Sequence, residues 1–284
     1  MDTKKVKWFL IFTFTSSYIL QIIAGENELR EMAPLIMFTP LISCFLVGAD
    51  VKEMGWIPKI EGNIKPFLIA WFSPIVLDIA GAVLFFVVFP DRFDGTAESW
   101  AINYPEEYQM IIEEHGSFGN YILEQIIKMI MGAYIGMITA IGEEAGWRGF
   151  LYPQLKKGFG KIKALIIGGI IWSFFHFVII VFYGFNYGLE YIGAPVMGML
   201  VFAVFCIADG IIADYVYEKT ECIWIPALFH GAINSTGIGI LFDNECHPER
   251  SIFGPCIVGM ISMLPTVAFA VYLLYKEKYY EREY

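Results

Sequence analysis

The sequence has little charge for its length. Only 17% of its 284 residues are Asp, Glu, Lys or Arg, whereas 57% are hydrophobic and the mean hydropathy is +0.58. Because soluble domains carry about 25% charged residues, this composition excludes an ordinary soluble domain. The net charge of −10 comes without a basic stripe apart from the membrane flanks, which argues against nucleic-acid binding. A membrane protein is the class that remains.

Motifs for metal binding and for nucleophilic catalysis are also scarce. The chain has five cysteines and four histidines, but no CxxC pair and no His-Glu-x-x-His motif. Ser173 and Ser235 have no obvious partners for a catalytic triad. Three cysteines lie in or beside apolar segments and are expected to be packing thiols. Cys246 and Cys256 share one loop region and could pair if that side of the membrane is oxidising.

Eight stretches are long and apolar enough to cross a membrane, which takes about 20 residues in a helix. Six of them lack charged residues, one contains Asp78, and one contains Glu124 and Lys128. The predicted spans are residues 8–25, 32–49, 66–90, 121–142, 164–189, 191–208, 222–242 and 252–275. We predict an all-α bundle of about eight transmembrane helices, in one integral-membrane domain over residues 1–284. The first span begins like a secretory signal, but we interpret it as an uncleaved helix.

The Lys and Arg residues outside the spans are unequally distributed. The two termini and the segments 50–65, 143–163 and 209–221 hold 15 of them, whereas the opposite loops hold only Arg30, Arg92 and Arg250. The positive-inside rule therefore predicts that both termini are cytoplasmic. The host membrane would be the plasma membrane of a prokaryote or the endoplasmic reticulum of a eukaryote. Residues 91–120 are expected to form an acidic outer loop with a short helix.

Several polar residues lie inside or at the ends of the apolar segments. An ionisable group in a span costs about 2.5–3.5 kcal/mol on insertion scales, so such groups usually pair or line a cavity. His230 and Asn234 are four residues apart and share one helix face, and Trp172 and His176 have the same spacing. These side chains can form a reactive site or merely link helices by hydrogen bonds.

A glutamate pair closes the fourth predicted span. Glu144 and Arg148 are spaced for an ion pair on one helix face, whereas Glu143 is rotated by about 100° and can face another surface. We therefore predict that one carboxylate is neutralised while its neighbour stays available. The helix is expected to continue from Glu143 to Leu155, and the glycines nearby let other backbones approach closely. These glycines are Gly142, Gly146 and Gly149.

Other polar residues in or beside spans have simpler explanations. Asp209 and Asp214 lie at the cytoplasmic end of the sixth predicted span, about 140° apart around a helix, and we expect both to be solvated or to cap it. Asp78, Glu124 and Lys128 could form a structural pair or a gate.

The ordered motifs resemble those of one protease family. Glu143-Glu144-x-x-x-Arg148, Trp172-x-x-x-His176 and His230-x-x-x-Asn234 are similar to the motifs of the CAAX-protease and bacteriocin-processing family, glutamate-type intramembrane proteases that include the type II CAAX prenyl endopeptidases. The resemblance covers residues 121–242, the predicted catalytic region. Trp172 departs from the phenylalanine that the family carries, which keeps an apolar wall but alters its shape.

The resemblance implies an activity and a set of roles. Members remove the last three residues of a prenylated CAAX sequence, so a prenylated peptide and the lipid bilayer are the expected partners, without a metal or other cofactor. Glu143 and His176 would activate a water molecule. His230 and Asn234 would form an oxyanion hole. Glu144, Arg148 and Trp172 would support the catalytic helices.

Three alternatives stay open from the residues alone. Two histidines and a glutamate can bind catalytic zinc, so activity after exhaustive chelation would decide between zinc and metal-free water activation. A non-catalytic membrane protein of the immunity or scaffold type could use the polar cluster to bind a peptide. A transporter could use Glu143 and the histidines as a proton relay, although the two halves of the chain show no convincing symmetry.

Overall fold

The computed structural model describes residues 1–25, 28–58 and 60–283, and within them the chain is helical with one isolated β-bridge, Phe93 to Asp243. The α-helices are α1 (Thr3–Ala24), α2 (Leu29–Leu46), α3 (Ile64–Val88), α4 (Glu98–Asn103), α5 (Pro105–His115), α6 (Phe118–Glu144), α7 (Tyr152–Phe159), α8 (Lys161–Phe175), α9 (Phe177–Tyr183), α10 (Val196–Thr220), α11 (Trp224–Asn234) and α12 (Leu264–Glu283). A π-helix, Ala145–Leu151, joins α6 to α7, and short 3₁₀ helices cover Val51–Glu53, Pro90–Arg92, Ile238–Phe242 and Pro248–Phe253. The prediction of an all-α bundle is confirmed.

The number of spans is lower than eight by length and composition. In the described ranges five helices are long and apolar enough to cross a membrane, and the pair α8 and α9, bent by 48°, makes a sixth. The second and eighth predicted spans are shorter apolar helices, residues 31–46 and 264–276. Large apolar side chains stand exposed along the long helices, for example Ile135 at 73% and Val87 at 71%, as expected for a surface in contact with lipid.

Two predicted boundaries were wrong. The fourth span does not end at Gly142, because the helix continues through the π-helix to Phe159. The expected continuation of this helix to Leu155 is therefore present. The sixth span was expected to stop at Ala208, before Asp209. Helix α10 instead runs from Val196 to Thr220, and both of its aspartates are buried in the bundle. Counting only uncharged residues therefore misjudges a helix that buries its carboxylates.

One end of the bundle gathers segments that the charge pattern assigns to one side. Lys5 Nζ donates to the carbonyl of Gly48, the amide of Asp2 donates to Gln154, and the amide of Ile223 donates to the carbonyl of Gly55. These contacts agree with the predicted grouping of the N-terminus with the segments that follow the second, fourth and sixth spans. Lys59, one of the cations in that count, lies outside the described residues.

The opposite end is held by a buried ion pair. Arg92 donates from Nε to Asp243 Oδ1 over 2.6 Å and from Nη2 to Asp243 Oδ2, and both side chains are buried. The sequence predicted one short helix in residues 91–120, but the structure has two, α4 and α5. All five cysteines are free thiols, so the possible pairing of Cys246 with Cys256 is not formed.

Close helix contacts around the glutamate pair depend on glycine. A Cβ added at Gly231 of α11 would lie 2.3 Å from the backbone nitrogen of Met137 in α6, so only glycine permits this approach. The same holds at Gly142 and Gly146, where an added Cβ would lie 2.6 Å from the Met37 carbonyl oxygen and 2.2 Å from a Pro40 carbon. The predicted role is confirmed for Gly142 and Gly146, whereas an added Cβ at Gly149 would lie 2.7 Å from the sulfur of the Met54 side chain and not against a backbone. Helix α6 is packed between α2 and α11.

Candidate active site

Glu143 is buried and held by two indoles. Its side chain, 1% exposed, accepts hydrogen bonds from Trp147 Nε1 over 3.0 Å and from Trp172 Nε1 over 2.7 Å. Both indoles donate to the same oxygen, Oε2, so the carboxylate is fixed while Oε1 is left for another donor. Trp172 therefore does more than form an apolar wall, because a phenylalanine at this position has no N–H to donate.

The π-helix starts directly after the glutamate pair. Residues 145–151 are wound as a π-helix, in which the amide of Tyr152 donates to the carbonyl of Trp147, five residues back. π-Helices are rare, occur mostly as single turns inside α-helices and are frequent at functional sites. Within this wider turn Trp147 reaches back to Glu143, and Arg148 reaches back to Glu144. The two neighbouring carboxylates thus bind different partners, as the sequence predicted.

Glu144 connects Arg148 to His230. Its Oε1 accepts from Arg148 Nη1 over 2.9 Å and pairs with His230 Nδ1 over 2.8 Å, and the three side chains are buried. The predicted ion pair between Glu144 and Arg148 is confirmed, whereas the bond to His230 was not foreseen. A carboxylate can only accept here, so His230 Nδ1 carries the hydrogen and Nε2 remains for the reaction. The ring of His230 packs edge-on against Trp172, with centroids 5.2 Å apart.

His176 lies at the break between α8 and α9. Its Nδ1 is 3.1 Å from the carbonyl oxygen of Trp172, which fixes Nδ1 as the donor and again leaves Nε2 free to react. The break leaves backbone carbonyls without helical partners, and side chains of α1 donate to them. Tyr18 Oη donates to the carbonyl of Phe174 over 2.6 Å, and Gln21 Nε2 donates to the carbonyl of Phe175 over 2.8 Å. Non-helical backbone at membrane depth survives only where other protein groups satisfy it in this way.

Glu143, His176 and His230 come together, but Asn234 stands apart. His176 interacts electrostatically with both Glu143 and His230. Asn234 is the last residue of α11, and its side chain is exposed, with no hydrogen bond to the described residues. Glu143 and His230 are buried and His176 is half-buried, whereas Asn234 lies one helical turn beyond His230.

Asp209 is a buried carboxylate that the sequence interpretation placed in solvent. Its side chain is fully buried, neither oxygen has a hydrogen-bond partner, and it interacts electrostatically with His230, Arg148 and Glu144. The expectation of a solvated or capping residue was wrong because α10 continues past this position. The sequence does contain a hint of this burial, because Asp209 directly follows the predicted span and would lie within it if the helix were longer. Asp214, also buried, pairs with Lys156 Nζ over 2.6 Å.

Polar atoms without partners cluster beside Asp209. Glu144 Oε2, Arg148 Nε and Nη2, and the Tyr152 hydroxyl are buried without a hydrogen bond. The Arg148 guanidinium lies over the rings of Trp172 and Tyr152, 4.4 and 5.0 Å from their centroids. Buried polar groups in native proteins are almost always satisfied, and ordered water is the usual partner where protein atoms are lacking. Ordered water at the inner end of this site would satisfy these atoms.

The remaining polar residues of the spans do not form one gate. Glu124 and Lys128 pair over 2.6 Å on a partly exposed face. Asp78 lies elsewhere and accepts from the amides of Gly237 and Ile238 over 2.9 and 3.1 Å, which fixes the chain just beyond α11. The pair is therefore present, whereas the gate is not.

Within the part of the chain that the structure describes, the ligand atoms of Glu143, His176 and His230 do not all lie within 4.8 Å of one another. Among the described residues, one group of three or more His, Cys, Asp or Glu side chains has its ligand atoms close together, and it consists of Asp91, Cys246 and His247 at the far end of the bundle. Glu143, His176 and His230 are not in that group, and their side chains are held by two indoles, a carbonyl and a carboxylate. This arrangement suits a base and two imidazoles around a water molecule.

The region that carries these residues is similar to known proteins. Residues 125–236 match the family described as type II CAAX prenyl endopeptidase, Rce1-like. A protein of Methanococcus maripaludis named CAAX prenyl protease 2 is 31% identical over 102 residues, which make up 36% of this chain and 37% of that protein. The matched region thus spans little more than a third of that relative. All three motifs fall inside residues 125–236, and the family resemblance drawn from them is confirmed there.

Proposed function

We propose that this chain, Rce1-like over residues 125–236, is an intramembrane endopeptidase that removes the C-terminal tripeptide from prenylated CAAX sequences. The observation that carries the proposal is the state of Glu143. A carboxylate buried to 1% exposure, with both of its donors on one oxygen, is held in place as a base and is not neutralised by a cation.

Glu143 and His176 hold and deprotonate the attacking water. The water donates one hydrogen to Glu143 Oε1 and another to His176 Nε2, and its oxygen attacks the scissile carbonyl as Glu143 takes the proton. The same proton then passes to the leaving amine when the C–N bond breaks. General-base catalysis of this kind contributes about 10²–10⁴ in rate.

His230 stabilises the oxyanion of the tetrahedral intermediate as an imidazolium, which donates from Nε2 to the oxyanion while Nδ1 donates to Glu144. Its Nδ1 is bonded to Glu144, and Glu144 is in turn paired with Arg148, so the imidazole has a fixed orientation before the substrate binds. Preorganised donors of this type are worth about 10²–10³ each. Asn234 is the second donor in this scheme, and its exposure leads us to expect a smaller loss on its removal.

Asp209 is a positioning residue for this arrangement. Two carboxylates, those of Glu144 and Asp209, interact electrostatically with the single guanidinium of Arg148. Two nitrogens of Arg148 have no hydrogen-bond partner among the described residues. Water between Asp209 and Arg148 would satisfy both sets of atoms. The charge of Asp209 then keeps Arg148 and His230 in the orientation that the oxyanion needs.

The membrane setting accounts for the substrate class. A prenyl chain is apolar and can stay in the hydrocarbon of the bilayer, while the peptide beyond the prenylated cysteine enters the polar site between α6, α8 and α11. Cleavage at depth needs water there, and the unsatisfied polar atoms beside Asp209 are where water would be held.

The test is the product formed from a farnesylated CAAX peptide by the purified full chain in detergent. We expect mass spectrometry to detect the released tripeptide and the shortened prenylated peptide, with far less cleavage of the same peptide lacking the prenyl group. Binding without tripeptide release would identify a non-catalytic binder and reject the proposal. Loss of activity on exhaustive chelation, restored by zinc, would reject the metal-free water activation.

A further inference from the structure

We infer that Asp91, Cys246 and His247 form a second site, at the end of the bundle away from the glutamates, which binds a divalent transition-metal ion of the zinc type. One ligand atom from each residue, a carboxylate oxygen, Sγ and a ring nitrogen, lies within 4.8 Å of the other two. Thiolate, imidazole and carboxylate are the ligand types that zinc takes in proteins. Three protein ligands leave the fourth tetrahedral position to water.

The histidine is already oriented as a ligand. His247 Nδ1 is 3.1 Å from Glu249 Oε1, so this nitrogen donates to a carboxylate and Nε2 carries the free lone pair. His247 Nε2 lies 3.7 Å from Asp91 Oδ2, on the side of the other two ligands. Histidines that bind metals almost always donate their second N–H to a carboxylate, a carbonyl or water, and Glu249 has that place here.

The two loops that carry the ligands are fixed to each other without a metal. Asn244 donates from Nδ2 to the Asp91 carbonyl over 2.7 Å, and its Oδ1 accepts the amide of Cys246 over 3.0 Å. Behind them, buried Arg92 donates to Asp243 and to the carbonyl of His247. Because the backbone is held on both sides, little ordering remains to oppose metal binding.

The charge balance of the site favours a cation once the thiol has ionised. Binding releases one proton, since Cys246–SH and M²⁺ give Cys246–S⁻–M²⁺ and H⁺. Arg250 Nη1 lies 2.9 Å from Asp91 Oδ2, the same oxygen that faces His247 Nε2, so a metal ion bound there would share this carboxylate with Arg250. Thiolate, carboxylate and the nearby Glu249 outweigh Arg250. The ion would connect the 3₁₀ helix Pro90–Arg92, which carries Asp91, to the loop that carries Cys246 and His247.

Cobalt(II) tests the site, because thiolate binding to it gives a charge-transfer absorption that carboxylates alone do not. The experiment titrates the full chain, free of any histidine tag, with Co²⁺ in detergent. We expect one equivalent to bind with the thiolate band, and zinc to displace it. Cys246→Ser is expected to abolish the band, and His247→Ala to weaken binding by at least about tenfold. Glu249→Gln is expected to weaken it by about 10–100-fold, as changes behind a metal ligand do.

Matched controls lie in the same chain. Cys256→Ser and His115→Ala remove a thiol and an imidazole outside the cluster and are expected to leave the titration unchanged. A second measurement needs no variant: bound zinc is expected to slow the alkylation of Cys246, which is exposed, with protection lost on chelation. Absence of the thiolate band in the unchanged chain, or its persistence in Cys246→Ser, would overturn the site. Neither readout depends on peptidase activity.

Discussion

Two buried arginine–carboxylate pairs stand at different places in this protein, and they are satisfied to different degrees. Arg92 uses Nε and Nη2 on Asp243 and Nη1 on the His247 carbonyl, so every group of its guanidinium has a protein partner. Arg148 uses only Nη1, on Glu144, while its Nε and Nη2 and the second oxygen of Glu144 have none. Both arginines are buried, so exposure does not explain the difference.

The difference separates a structural pair from a functional one. A buried polar atom without a partner costs about 1–3 kcal/mol, so a pair that only joins two loops is expected to be completed, as that of Arg92 is. The pair of Arg148 keeps open positions next to Glu143, His230 and Asp209. Such positions can hold water and can respond to the charge that develops in a reaction. Incomplete satisfaction therefore distinguishes the ion pair of Arg148 from that of Arg92.

The largest effect on stability is expected at the satisfied pair, without an effect on kcat. Asp243→Ala leaves Arg92 buried and uncompensated, and breaking a buried pair in this way costs about 3–5 kcal/mol. We expect the melting temperature in detergent to fall strongly, while kcat per folded molecule stays at its original value. A loss of kcat in the folded fraction would contradict the structural role.

Removal of His230 is expected to act on the reaction. His230→Ala takes away an oriented oxyanion donor, and such a loss lowers kcat by about 10²–10³. The matched control is His115→Ala, since His115 pairs with Glu124 over 2.8 Å at the far end of α6 and is expected to leave kcat unchanged. Equal kcat for His230→Ala and the unchanged chain would remove His230 from the mechanism.

Asp209 and Asp214 allow a comparison of two buried carboxylates on α10, one without a hydrogen-bond partner in the described chain and one paired with Lys156. Asp209→Asn replaces a buried carboxyl group whose oxygens accept no hydrogen bond from the described residues, so we expect unchanged or higher thermal stability together with a fall in kcat of about tenfold, roughly 1.4 kcal/mol. KM is expected to stay constant, because Asp209 acts through Arg148 and His230. Asp214→Asn is the control: it breaks the bond to Lys156 and is expected to lower stability without lowering kcat. The reverse pattern would make Asp209 a structural residue.

The smallest effect is expected at Trp172. Trp172→Phe restores the residue of the family motif and removes one of two donors to Glu143 Oε2, while Trp147 retains the other. A hydrogen bond to a charged group is worth about 1.5–3 kcal/mol, and the remaining donor compensates in part, so we expect kcat to fall by less than about tenfold. An unchanged kcat would mean that Trp147 alone fixes Glu143.

The sequence predicted the parts of the site that depend on spacing within one helix. The ion pair of Glu144 with Arg148, the different orientation of Glu143 and the close helix contacts at Gly142 and Gly146 follow from helical periodicity, and all are present. The helical membrane bundle likewise followed from the apolar segments. Spacing alone suffices where both partners are on the same helix.

Contacts between helices could not be predicted in the same way. The bonds of Trp172 to Glu143 and of His230 to Glu144 depend on how α8 and α11 pack against α6, which periodicity does not specify. Asp209 was misplaced for a related reason: a carboxylate was assumed to end a span, although the surrounding charges of Arg148 and His230 allow α10 to bury it. Packing and electrostatics between helices, absent from a one-dimensional pattern, decided both.

The most direct test of the proposed mechanism is the turnover of the farnesylated CAAX peptide by Glu143→Gln. Glutamine keeps the size of the side chain and an oxygen for the two indoles, but it cannot take a proton from water. We predict that kcat falls by about 10²–10⁴ while the melting temperature stays within the range of the unchanged protein. Near-normal turnover by Glu143→Gln, with the tripeptide still released, would contradict the role of Glu143 as the base.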